Sequence, residues 1–130
     1  MSNNHRFLFF ILRNHIINKH HVWLSDKLEI GEGFWMPHPQ NIVIGSGVRI
    51  GKNCIIYQDV TFGQNKNLYP IIGNNVIVYA GAKVIGGVNV GDGAIIGANA
   101  LVINDVPQNT IVGGIPARII REKNENERFY

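Results

Sequence analysis

The chain has 130 residues, 45% of them apolar, with a formal net charge of +3. That suits one domain with its own core, and the lack of a large basic block argues against nucleic acid as the main partner. A single cysteine, Cys54, excludes an internal disulfide framework and points to a reducing, cytoplasmic setting.

The first element is a short apolar N-terminal segment, residues 1–27, centred on FLFFIL at 7–12. It falls far short of the ~20 apolar residues that span a bilayer and lacks the small-residue cleavage pattern of a secretory signal. One or two helical turns packed on the body or on a neighbouring subunit are expected. The alternative is peripheral contact with the inner face of a membrane through FLFFIL, Arg6, Arg13 and Lys19. His15, His20 and His21 cluster in NHIINKHH, but without cysteine or carboxylate spacing they read as a solvated helix end, and no metal is expected.

The body of the chain, residues 28–115, is a repeat. From Ile30 the large apolar residues Met36, Ile44, Ile50, Ile56, Phe62, Ile72, Val78, Val84, Val90, Ile96 and Val102 follow at steps of six. Two steps differ: Met36 to Ile44 has two extra residues, and Phe62 to Ile72 has four. Three residues after these positions stand Gly33, Gly47, Asn53, Asp59, Asn75, Gly81, Gly87, Gly93, Asn99 and Asp105, residue types that tolerate positive φ, so a turn should recur there. One place further on come mostly small or β-branched residues: Val48, Cys54, Val60, Val76, Ala82, Val88, Ala94, Ala100 and Val106. A six-residue unit with one turn is a short strand plus a corner. Three units close a triangular coil, and stacked coils make parallel strands about 4.8 Å apart. The pattern predicts an all-β fold, a parallel β-helix of about four coils.

The two extra pieces break the register at different corners. The first holds His38 between Pro37 and Pro39, in a chain with no other histidine after residue 21. The break lifts His38 out of the stacked wall, and the prolines stiffen its backbone. Imidazole titrates near pH 6.5, so its neutral form can take a proton from a hydroxyl as that oxygen attacks. The second piece lies in GQNKNLYPI, after Phe62. Its Gly63 is a candidate donor of a backbone N–H to a developing oxyanion. One chain leaves the two bulges apart, and a cleft between neighbouring subunits, lined by both, would be the natural site for a ligand. The closing segment, residues 116–130, is charged and begins within PARIIR; residues 107–121 are expected to cover the last open coil edge.

The stretches IGSGVRIGKNCIIYQDVTFG, VYAGAKVIGGVNVGDGAIIGANALV and VPQNTIVGGIPARIIRE resemble the hexapeptide-repeat acyltransferases over residues 28–121. The likeness is to the serine O-acetyltransferase branch and its relatives that acetylate surface polysaccharides. The resemblance implies a left-handed helix, a homotrimer and acetyl-CoA as co-substrate. It also implies direct transfer of the acetyl group with His38 as base. In such enzymes the pantetheine arm runs along small residues in GAGAK-like and IGAG-like turns, here Ala80 and Ala98. Asn104 stands where many relatives have lysine, and Arg118 and Arg121 match positions that meet the nucleotide phosphates.

The sequence also departs from the serine enzymes. The resemblance would place an aspartate just before the histidine, where Pro37 stands. It would place an Arg-His pair at Leu68 and Tyr69, and an orienting aspartate at Trp23, with Glu29 or Asp26 as substitutes. Those enzymes also carry an N-terminal helical domain that this sequence largely lacks. An uncharged acceptor is therefore expected: a sugar hydroxyl in surface-polysaccharide assembly, with Trp23 and Tyr69 stacking on the ring. The alternatives are serine O-acetylation in cysteine biosynthesis, with a small-molecule acceptor, or a non-catalytic scaffold. A γ-type carbonic anhydrase would need three histidines around zinc, which the repeat does not supply.

Overall fold

In a computed structural model, which describes residues 3–124, 126 and 127, helix α1 (Asn3–His20) precedes a prism of short strands. The first coil holds β1 (Trp23–Leu24), β2 (Glu29–Ile30) and a bridge from Trp35 to Ile55. The second coil is β3 (Val43–Ile44), β4 (Arg49–Ile50) and β5 (Ile55–Ile56). The third is β6 (Thr61–Gly63), β7 (Ile71–Ile72) and β8 (Ile77–Val78), and the fourth is β9 (Lys83–Ile85), β10 (Asn89–Val90) and β11 (Ile95–Ile96). A partial turn of β12 (Leu101–Val102) and β13 (Thr110–Gly113) follows, and β14 (Arg118–Glu122) folds back antiparallel on β13. Three parallel sheets result: A (β1-β3-β6-β9-β12), B (β2-β4-β7-β10) and C (β5-β8-β11-β13, edged by β14). The repeat thus gives the expected prism, with β1 starting ahead of residue 28. The closing segment lies along the edge of sheet C through β14 and also bonds Leu101 of β12, on the edge of sheet A, through the Gly114 carbonyl and the Ala117 N–H at 3.0 and 2.8 Å.

The core is a set of ladders. Ile44 and Phe62 pair in register on sheet A, Ile56, Val78 and Ile96 on sheet C, and all five are fully buried. Each such side chain contributes roughly 1.5–3 kcal/mol of apolar burial. The small residues one place beyond the corners, from Val48 to Val106, are buried as expected. The exceptions among the repeat positions are in the first coil, Ile30 at 38% exposed and Met36 partly buried, because no coil lies beneath it.

Two of the three corners turn through a left-handed residue. Between sheets B and C these are Gly33, Asn53, Asn75, Gly93 and Asn109; between C and A they are Asn41, Asp59, Gly81 and Asn99. Gly81 shows why glycine is needed: its φ is +78°, and a Cβ there would run into the Asn99 side chain. The A-to-B corner turns differently. Gly47, Gly87 and Asp105, expected at positive φ, are not; Gly86 takes φ +90° instead, one residue earlier.

The N-terminal segment is longer than one or two turns. α1 has 18 residues, and His21 at φ 53° donates its N–H to the Ile17 carbonyl at 2.9 Å, a left-handed helix stop. Only part of it docks on the body. Ile16 packs on the core, and Phe9, Leu12, Arg13 and Ile16 line a cavity of about 400 Å³ at the open first coil with Val22, Leu24 and Leu28. Phe7 to Leu12 remain about half exposed, and the Arg6 side chain lies outside the described residues. Among those residues no helix is long and apolar enough to cross a membrane. Because the ladders are contiguous, Phe62→Ala should destabilise the fold by about 3–5 kcal/mol, read from the midpoint of chemical denaturation.

Candidate active site

The backbone bonds between coils show where the first insertion lies. At the C-to-A corner, Asp59 N donates to Gln40 O at 3.0 Å, Gly81 N to Gln58 O at 3.0 Å, and Asn99 N to Ala80 O at 2.9 Å. Gln40, Gln58, Ala80 and Ala98 therefore form one column, and Pro39, Tyr57, Tyr79 and Gly97 the column beside it. The residues without counterparts are Pro37 and His38. The chain cannot absorb them into stacked coils, so His38 projects at the corner beside the second column. Its ring centroid lies 6.1 Å from that of Tyr57, tilted by 42°. Tyr57 in turn stacks on Tyr79 at 5.2 Å and 15°, and both rings rest on the ladder Ile55, Ile77 and Ile95.

The column that begins with two glutamines ends with Ala80 and Ala98, so its outer surface falls away toward the fourth coil. From the coil of His38 to that of Ala98 is three coil steps, about 14 Å. Lys83 closes the corner from sheet A, donating from Nζ to the Asp59 carbonyl at 2.6 Å and the Gly81 carbonyl at 2.9 Å. Gln58 Oε1 is buried with no hydrogen-bond partner among the described residues, which is rare in native interiors.

The second insertion is a small hairpin at the other edge of sheet A. Asn65 and Leu68 exchange backbone bonds at 3.0 and 2.9 Å, with Lys66 and Asn67 at φ 50° and 61°. Positive φ at both central residues is the type I′ turn that matches strand twist. Leu68 lies over Gly87, and Asn65, Lys66, Leu68, Ile85, Gly86 and Asn104 contribute to a groove of about 440 Å³.

One chain therefore brings His38, Ala80 and Ala98 to one corner, and Gly63 and Asn104 to the opposite one. Gly63 ends β6 and pairs with Ile85, its carbonyl accepting from Gly86 N–H at 2.9 Å. The stacking roles expected of Tyr69 and Trp23 are not what their surroundings support. Tyr69 packs under the Gly45–Gly47 turn, its hydroxyl 3.2 Å from Ser46 Oγ. Trp23 carries the Arg13 guanidinium 5.2 Å above its ring. Neither substitute orienter faces His38: Glu29 pairs with Arg49 on sheet B at 3.3 Å, and Asp26 lies at the A-to-B corner beside Ser25. The His38 ring makes no hydrogen bond among the described residues. Arg118 is exposed, and among the described residues its guanidinium bonds just its neighbour's carbonyl, Ala117 O, at 3.1 Å. Arg121 is engaged by Glu127 through both guanidinium nitrogens, one bond at 2.7 Å. Among the described residues no three His, Cys, Asp or Glu groups converge as metal ligands. Tyr57, Tyr79 and Gln58 escaped the sequence reading. Their signal was the repeated apolar-Tyr pair, IIYQ and VIVYA, at one phase of the repeat.

Residues 69–104 match the family model described as bacterial transferase hexapeptide (six repeats). A serine acetyltransferase of Synechococcus elongatus is 42% identical over 103 residues, 76% of this chain and 42% of that protein. A solved serine acetyltransferase in complex with CoA superposes with a TM-score of 0.81 at 36% identity, covering 90% of this chain and 49% of the other. A soybean serine acetyltransferase complexed with serine gives 0.80 at 34%, covering 88% and 49%. The chain spans about half the length of the curated relatives it matches. The left-handed β-helix expected from the resemblance stands with these likenesses. The sugar acceptor and the place in polysaccharide assembly do not: relatives at 34 to 42% identity are serine acetyltransferases.

The Arg121 pair makes a prediction of its own. The guanidinium holds the exposed Glu127 carboxyl down to about 2, so the pairing is complete above the usual glutamate range and is lost as pH falls through about 2. An NMR titration should find Glu127 with that low midpoint, and Arg121→Ala should return it to the ordinary glutamate value.

Proposed function

We propose that this chain, a hexapeptide-repeat β-helix of the serine acetyltransferase branch, transfers the acetyl group of acetyl-CoA to the hydroxyl of serine, with His38 as general base. The observation that carries the reading is the two-residue insertion. It is the one place at the C-to-A corner where the coils cannot stack, it carries an imidazole, and small residues lead away from it. The acetyl-CoA arm lies along Ala80 and Ala98 with its thioester at His38, and the roughly 14 Å of three coil steps suits an extended arm. The relatives bound to CoA and to serine support both substrates.

In the reaction the neutral imidazole accepts the serine hydroxyl proton as the oxygen attacks the thioester carbonyl. The tetrahedral adduct collapses by breaking the C–S bond, and the imidazolium returns the proton to the CoA sulfur. No acyl-enzyme forms. The protein works as a homotrimer, in which the hairpin at residues 64–70 of one subunit faces the His38 corner of the next. That brings a Gly63 and an Asn104 to a site that one chain leaves divided. Since Pro37, Leu68 and Tyr69 hold no charge for serine, Lys66 at the hairpin tip serves its carboxylate. Arg118 and Arg121 meet the nucleotide phosphates, Arg121 by exchanging Glu127 for phosphate.

Free CoA release measured with serine, threonine, free sugars and nucleotide sugars should be fastest with serine; equal or faster turnover of a sugar overturns the acceptor. His38→Ala should reduce turnover by about 10²–10⁴-fold while calorimetry still detects CoA binding. Sedimentation velocity should give a trimer, and a stable monomer with full activity would refute the shared site.

A further inference from the structure

Among the described residues no side chain accepts a hydrogen bond from the His38 ring, yet a base that turns freely makes a poor catalyst. Trp23 fills the place of an orienting carboxylate, and Glu29 and Asp26 face other corners. What His38 does have is a ring. The Tyr57 centroid stands 6.1 Å away at 42°, inside the 4.5–7 Å range in which aromatic pairs attract through edge and face. The Tyr57 ring is itself fixed from behind by Tyr79, stacked at 5.2 Å and 15°, and from below by Ile55 and Ile77, both nearly fully buried. The column ends there, since Gly97 holds the same place in the fourth coil.

Building on the proposed acetyl transfer, we infer that Tyr57 is a positioning residue whose ring holds the His38 imidazole at the corner and stabilises the positive charge it gains during transfer. A π-face within about 6 Å of a cation attracts it. The attraction is stronger for imidazolium than for imidazole, so it acts as the proton moves, the part an ionised carboxylate would otherwise play. The other titratable groups on elements around this corner are Asp59, Lys83, and His20 and His21 at the helix end. Lys83 is tied to the carbonyls of Asp59 and Gly81.

The test compares Tyr57→Phe, which keeps the π-face, with Tyr57→Leu, which removes it, in the full chain. The His38 ring protons are followed by NMR alongside steady-state kinetics. In the parent chain they should show the ring-current displacement and the through-space contact expected of a neighbouring Tyr57 ring. Tyr57→Leu should abolish both signals and lower kcat about fivefold, leaving KM for acetyl-CoA unchanged; Tyr57→Phe should keep the signals and kcat near the parent values. Unmoved His38 ring signals in Tyr57→Leu, or a Phe variant as impaired as the Leu one, overturns the assignment. Tyr79→Leu, which loosens the support but leaves Tyr57 in place, should give a smaller change in the same direction. The ring contact is read without turnover, so failure of serine as acceptor would refute the proposed reaction and still leave the Tyr57–His38 interaction decided by its own measurement.

Discussion

Everything in this protein depends on the stacking of left-handed corner residues. Asn41, Asp59, Gly81 and Asn99 share one corner and positive φ, and each of the last three donates its N–H to the coil before it. The backbone of one coil is thereby the template for the next. A residue at a given phase must lie above its counterpart, and a residue without a counterpart must leave the wall. Apolar ladders supply the free energy, but the corners supply the register, and the register decides which side chains meet.

The same rule explains how so regular a structure presents chemistry. A perfect prism offers flat faces with alternating inward and outward residues, and nothing that converges on a reacting atom. Insertions break the rule locally. Pro37 and His38 project an imidazole at one edge of sheet A, and residues 64–70 project a hairpin at the other. Both sit among ordered neighbours: the first between two prolines and beside the Tyr57–Tyr79 stack, the second on a type I′ turn, with Tyr69 seated under Gly45–Gly47. That seating also shows why an aromatic ring beside a site need not be a substrate platform. Two glycines leave a slot in the A-to-B corner, and the ring that fills it contributes to packing.

Beside His38, where the coils are interrupted, the rings of Tyr57 and Tyr79 stack on one another. Tyr57 and Tyr79 lie outside the sheet C wall on Ile55 and Ile77, so the rings reinforce a ladder the fold already needs.

Sequence alone determined the prism, the turn residues at two corners, the buried small positions and the location of His38, because each follows from a period that a linear chain displays. Tertiary structure alone decided the rest. Tyr57 and Tyr79 are 22 residues apart rather than 18, since the second insertion lies between them, and only the coil-to-coil bonds show that they stack. The altered A-to-B turn, the capture of Arg121 by Glu127 and the separation of Gly63 from His38 were likewise invisible in a pattern of residue types. The physical reason is that a period specifies phase along the chain, whereas contacts between side chains depend on which phases the corners bring to the same edge.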